Sequence, residues 1–123
     1  MTIKEINELN PASLAFLGDA VWEAAVREHI VKAGSRPAGE LHKLSVKYVS
    51  ASAQAGFYQI WEPVLSDEEK AVFKRGRNAE VHIPKSATPA QYHAATGFEA
   101  LIGYLHLADE AERLHTLFSM ILD

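Results

Sequence analysis

The 123-residue chain contains no cysteine, which excludes disulfide staples, zinc ribbons and thiol nucleophiles together and fits a reducing compartment. Nor does it hold any run near the roughly 18 apolar residues that a membrane span requires. Its start, MTIKEINELN, has no apolar stretch behind a basic one. The expected setting is the cytoplasm, with no membrane partner. A positive excess is also missing: 16 acids against 12 bases leave a net charge of −4, so nothing draws the chain as a whole toward nucleic acid. The six histidines, His29, His42, His82, His93, His106 and His115, include no pair at the short spacing of a zinc-binding helix. No segment reads as a strand with turn chemistry on both sides, and no repeat or low-complexity tract is visible.

What remains is helical punctuation. Asn10-Pro11 reads as N-cap and first helical residue, because proline gives up a donor the first turn has no use for. The helix runs through LAFLGDAVWEAAVREHIVKA, with Leu14, Leu17, Val21, Ala25 and Ile30 near one face, and stops at Gly34. A second helix from near Pro37 through GELHKLSVKYVSASAQAGFYQIW ends at Pro63, with Ser50-Ala51-Ser52 and Gly56 as places for a bend. Ser66-Asp67-Glu68-Glu69 is a capping box for a third, to about Asn78. EVHIPKSA is a loop, after which Thr88-Pro89-Ala90-Gln91 starts a helix through YHAATGFEALIGYLHL. A last amphipathic helix spans Asp109 to Leu122. The class is all-α, one domain covering 1–123.

Two of these helices carry a carboxylate where the pattern asks for hydrocarbon. From Leu14 to Trp22 every residue except Asp19 is apolar or glycine, and from Gly97 to Leu105 the only ionisable group beside Tyr104 is Glu99. Both acids read as half-buried. Two such groups on neighbouring helices repel unless something positive lies between them, and a divalent cation with hard oxygen ligands meets that need: Mg²⁺, with Mn²⁺ as substitute. Two alternatives stay open: Asp19 on the exposed rim of its helix, and Glu99 paired with an arginine such as Arg27. Glu23, one turn beyond Asp19, reads first as an i, i+4 partner of Arg27. Gly18 and Gly103 read as positions where helices approach closely.

Charge is unevenly spread. Between residues 70 and 85, Lys70, Lys74, Arg75, Arg77 and Lys85 face one acid, Glu80, while Asp109, Glu110, Glu112 and Asp123 collect near the C-terminus. Arg75 and Arg77, flanking a glycine before a loop, suit either a solvated helix end or a phosphate backbone. Lys43 and Lys47 could extend such a surface. With no aromatic-interleaved stacking platform, a duplex is the more natural ligand than a splayed single strand.

At these residues the chain resembles a family. LAFLGDAVWE resembles the ribonuclease III signature centred on F-L-G-D, GELHKLSVKYVS its second motif, and TGFEALIGYLHL the segment supplying its metal-binding glutamate. The three occur in the family's order, and KRGRNA resembles the basic loop of the small Mini-III branch, which has the catalytic domain and no double-stranded RNA-binding domain. The resemblance implies an all-α homodimer that cleaves double-stranded RNA with Mg²⁺, matures the ends of 23S ribosomal RNA, and has Phe16 near its dimer interface. It implies Asp19 and Glu99 as catalytic and metal-binding residues, Lys74, Arg75, Arg77 and Lys85 gripping backbone with Lys43 and Lys47 beside them, and no DNA as substrate. A ribosomal protein is a plausible assistant. Larger members carry acids where this chain has Ala15, Ser52 and Thr96, so only two acids remain. Two rivals follow: a catalytically weak or inactive RNA-binding or ribosome-associated dimer, and a helical phosphohydrolase of small substrates.

Overall fold

A computed structural model describes residues 1–122; Asp123, counted among the C-terminal acids, lies outside them. Among the described residues the elements are α1 (Ile3–Asn7), α2 (Pro11–Lys32), α3 (Ala38–Val49), α4 (Ala51–Trp61), a 3-10 turn (Glu62–Val64), α5 (Asp67–Arg77), α6 (Pro89–Leu107) and α7 (Ala111–Leu122), with no strand. The all-α expectation holds, and so do the starts read from capping residues. Asn10 accepts from the Ala12 amide, and Thr88 from that of Gln91. Ser66 and Glu69 form the reciprocal box at α5.

Two differences have local causes. Thr2 and Glu5 form a second capping box that closes α1, a helix too short to show an apolar period. The long second helix divides at Ser50, whose backbone is extended (φ −65°, ψ 152°) and whose hydroxyl accepts from the Ala53 amide to cap α4. Gly56 lies inside α4 without interrupting it.

The hub is α6, packed against α2, α4, α5 and α7. Its residues from Ala95 to Leu105 are buried except Glu99, which is half-buried. On α2 the buried stripe is Leu14, Ala15, Gly18, Trp22, Val26 and Ile30, rotated from the face expected, since Leu17, Val21 and Ala25 are only partly covered. Trp22 and Trp61 enclose Phe98, at centroid distances of 5.2 and 4.5 Å. Their indole N–H groups donate to the Tyr48 and Leu117 carbonyls, both at 2.8 Å, so neither large ring leaves an orphan donor in the core.

One buried ion pair fixes the end of the hub. Glu69 accepts from the backbone N–H of Ser66 and from Arg113 through two bonds of 2.8 and 2.9 Å, while Arg113 also donates to the Val64 carbonyl. Burial pushes the Glu69 carboxyl up, but the Arg113 and Ser66 bonds outweigh that and hold it below the ordinary range. Arg113→Ala leaves an acid that is only 7% exposed without its cation, at an expected cost of about 2–3 kcal/mol, since the arginine is partly solvated. Because the folded carboxyl is the stronger acid, the pair's contribution is full above the unfolded value near 4.5 and fades as pH falls through the lower folded value. Urea unfolding of parent and variant at pH 7 and pH 3 is expected to show the gap narrowing at pH 3.

Candidate active site

The approach of α2 to α6 is set by two glycines. A Cβ on Gly18 would overlap the carbonyl oxygen of Glu99, and one on Gly103 would overlap that of Leu14, so each helix lies directly on the other's backbone. That contact gives Gly18 and Gly103 the close-packing role read from the sequence. It also sets Asp19, the neighbour of Gly18, beside the Glu99 side chain.

The two acids meet, but not as equals. Asp19 is exposed, the rim position that stood as one alternative, and the half-buried expectation for it is corrected; Glu99 is recessed as expected. Phe16, Asp19 and Ala20 form one exposed stripe of α2, continuing at the partly covered Glu23, so the apolar run around Asp19 is not wholly interior. Burial pushes the Glu99 carboxyl up to about 8, and the hydrogen-bonding Asp19 carboxyl and the Glu23 charge act in the same direction, against a bond from Gln54. Without a cation, Glu99 therefore keeps a proton near neutral pH. Arg27 is not its partner: that guanidinium lies 4.0 Å from Glu23, a loose i, i+4 pair.

Gln54 was not anticipated. Its amide is 2% exposed and its Nε2 donates both to the Glu99 carboxylate (Oε2, 3.3 Å) and to the Val49 carbonyl (3.3 Å). A fainter form of the signal that singled out Asp19 and Glu99 was present here too, one polar residue within the short run AQAGF. The three positions that are acidic in larger relatives are engaged elsewhere. Ala15 is buried, the Thr96 hydroxyl donates to the Tyr92 carbonyl at 2.9 Å, and exposed Ser52 lies 3.4 Å from the Ser50 hydroxyl.

Among the described residues no three His, Asp or Glu side chains gather as a metal cage. Two neighbouring carboxyls, with Glu99 holding a proton, still fit a hard cation, whose charge relieves the repulsion that the proton relieves in its absence. They fit Mg²⁺ or Mn²⁺ better than zinc, because Mg²⁺ takes one or two carboxylates and keeps water in its remaining positions.

The basic residues lie on other elements, α5, α3 and the loop before α6. Gly76 and Gly97 bring α5 against α6, with Phe73 over Gly97. Gly97 and Glu99, two residues apart, point to opposite sides of α6. Lys74, Arg75 and Arg77 sit on α5, which packs on α6 next to α2, on a different helix from either acid. All three are exposed; Arg75 donates to Asn7 at 2.8 Å and Arg77 lies 5.8 Å over the Phe73 ring. Lys43 and Lys47 are exposed on α3, and Lys85 is exposed in the loop before α6. Two clefts, of about 290 Å³ between α2 and α3 and about 400 Å³ between α5, α6 and α7, include neither Asp19 nor Glu99 in their walls. The acid pair is reached from solvent at the exposed rim of α2 where Asp19 stands, with Glu99 recessed behind it.

An all-helical domain that brings one carboxyl from each of two crossing helices together at a solvent-reached rim has the donor chemistry of a metal-assisted hydrolase. The Ribonuclease III domain family matches residues 12–110. The chain belongs to the ribonuclease III family, the metal-dependent endoribonucleases of double-stranded RNA. It is 48% identical to the Mini-ribonuclease 3 of Symbiobacterium thermophilum over 116 residues, 94% of this chain and 89% of that one. The likeness to the Mini-ribonuclease 3 of Enterococcus faecalis is 41% over 120 residues, 95% of this chain and 91% of the other. A crystal structure of a Fusobacterium nucleatum protein shares the fold, with a TM-score of 0.87, 30% identity and 94% of each chain covered.

Proposed function

We propose that this chain, residues 1–123 acting as one catalytic domain, is a Mg²⁺-dependent endoribonuclease of double-stranded RNA in which Asp19 and Glu99 are the catalytic and metal-binding residues. The observation that carries the reading is their meeting at the exposed rim of α2, with Glu99 held protonated by burial and by Asp19. When bound, the cation supplies an oriented, acidified water and offsets charge on the scissile phosphate. Asp19 presents its carboxylate from the exposed rim, where a phosphate arrives. Glu99, recessed and tied to Gln54, keeps a fixed direction and gives up its proton when the site fills.

The substrate proposed is the ribosomal RNA precursor whose ends become those of 23S RNA, in the cytoplasm, with a ribosomal protein as assistant in presenting it. Recognition is by A-form shape, because the narrow major groove hides base edges and leaves phosphates and 2′-hydroxyls to be gripped. Lys74, Arg75, Arg77 and Lys85, with Lys43 and Lys47, all exposed, contact the backbone. A homodimer supplies one site per strand. Phe16, 85% exposed and one turn from Asp19, is the contact proposed to be covered by the partner, which would wall the site on that side.

Replacing Arg75 and Arg77 together by Ala is expected to raise KM for duplex RNA and flatten its dependence on log salt by about 1.5–2, close to one unit per lost phosphate contact. A parent-like salt slope removes them from the interface. The reading as a whole is tested by incubating purified protein with labelled duplex RNA, single-stranded RNA and a generic phosphate ester, each with Mg²⁺ or EDTA. Cutting of the duplex alone, and only with Mg²⁺, is the expected result. Turnover of the ester would favour a small-substrate phosphohydrolase, and binding of duplex without cutting would favour an inactive RNA-binding dimer.

A further inference from the structure

We infer that Gln54 is a positioning residue of the nuclease site: its buried amide locks the Glu99 carboxylate toward Asp19 and so sets the affinity of the pair for a divalent cation. The inference rests on the assignment of Asp19 and Glu99 as metal-binding residues, and it goes beyond that pair by adding a third helix, α4, to the site.

Glu99 is the longer and more mobile of the two acids, with three torsions to fix, and the glycine contact that places its backbone does nothing to orient its carboxylate. Gln54 provides that orientation. Its amide is anchored by the bond to the Val49 carbonyl, just before the Ser50 break that ends α3 and caps α4, so the donor comes from a rigid corner. Its second N–H meets Glu99 Oε2 from the interior side. With that oxygen held inward, the other is left for the rim where Asp19 stands.

The choice of an amide has a chemical consequence. A carboxylate at position 54 would add a third negative charge to an already repulsive pair, and a hydrocarbon would leave both Glu99 and the Val49 carbonyl without a donor. A neutral donor favours the ionised form of Glu99 without competing for the cation. Partners of this kind typically change metal affinity by about 10- to 100-fold when removed.

The test is Mn²⁺ binding to RNA-free protein, read by the paramagnetic relaxation of water protons, for the parent, Gln54→Met, Gln54→Glu and Asp19→Asn. Methionine keeps the length and volume of glutamine but donates nothing. Gln54→Met is expected to weaken Mn²⁺ binding by about 10- to 100-fold, with KM for duplex RNA unchanged and turnover restored at high Mg²⁺. Gln54→Glu keeps the shape and is expected to change the affinity and its pH dependence. Should Gln54→Met bind Mn²⁺ as the parent does while Asp19→Asn does not, the role of Gln54 falls and the acid pair stands. If Asp19→Asn also binds as the parent does, both fall. Because the Gln54→Met chain could fail to fold, the parent itself gives an independent reading: at substoichiometric Mn²⁺ the assigned Gln54 side-chain NH₂ resonance is expected to broaden more strongly than those of Gln59 and Gln91. An unbroadened Gln54 signal at saturating Mn²⁺ overturns the inference.

Discussion

Gly18→Ala is expected to abolish cleavage and destabilise the fold by about 3–5 kcal/mol, although alanine is the better helix former by about 1 kcal/mol. The added methyl would occupy the space of the Glu99 carbonyl oxygen. That atom is backbone in the centre of the most buried helix, so no side chain can turn aside and α2 and α6 must separate. Separation also undoes the Gly103 contact with Leu14 and draws Asp19 from Glu99. Stability and activity thus fall together, unlike the outcome of changing an acid. Chemical denaturation and a duplex-cleavage assay on the same preparation check both, with Gly39→Ala as a control, because nothing lies within 4 Å of a Cβ there.

Changing the acids is expected to have the opposite effect on stability. Asp19→Asn and Glu99→Gln each remove a charge from the site, and loss of about 4 kcal/mol of transition-state stabilisation corresponds to a turnover lower by about 10³-fold. Glu99→Gln also removes a destabilising ionisation. In the metal-free parent the folded carboxyl titrates near 8, against 4.5 for the ordinary group. Below 4.5 the proton is bound in both states and carries no penalty. Between the two values the unfolded chain releases it first, so parent stability falls as pH rises and levels off above 8. The accumulated loss is on the order of 3 kcal/mol after reduction for partial solvation, enough to separate the melting temperatures by about 10 °C in EDTA at pH 8.5. The two curves converge near pH 4.5, and Mg²⁺ stabilises the parent only. A parent that melts above Glu99→Gln across the whole range in EDTA would remove the repulsion argument.

The fold was legible wherever a side chain closes on its own backbone. Asn10, Ser66 and Thr88 cap helices through bonds spanning two or three residues, which spacing alone reveals. The break at Ser50 was harder to place because α3 and α4 both lean on the core, so apolar spacing continues across it. The acid pair was legible as two exceptions to an apolar pattern, yet the pattern misjudged the depth of Asp19. Phe16 makes the run around Asp19 look interior although it is exposed, and an apolar residue on the solvent face is a case that periodicity does not encode. Glu69 with Arg113 and Gln54 with Glu99 join residues 44 and 45 apart in sequence. No local rule pairs them, and only the crossing of helices on α6 brings them together.

If Asp19 and Glu99 hold the cation as one unit, cleavage of a labelled RNA duplex over a Mg²⁺ titration will reveal it in the parent, Asp19→Asn, Glu99→Gln and the double variant. Each single change is expected to lower turnover by about 10³-fold with helical content intact, and the double variant to be hardly worse than either, because a broken unit has little left to lose. Parent-like, Mg²⁺-dependent cutting by either single variant would contradict it.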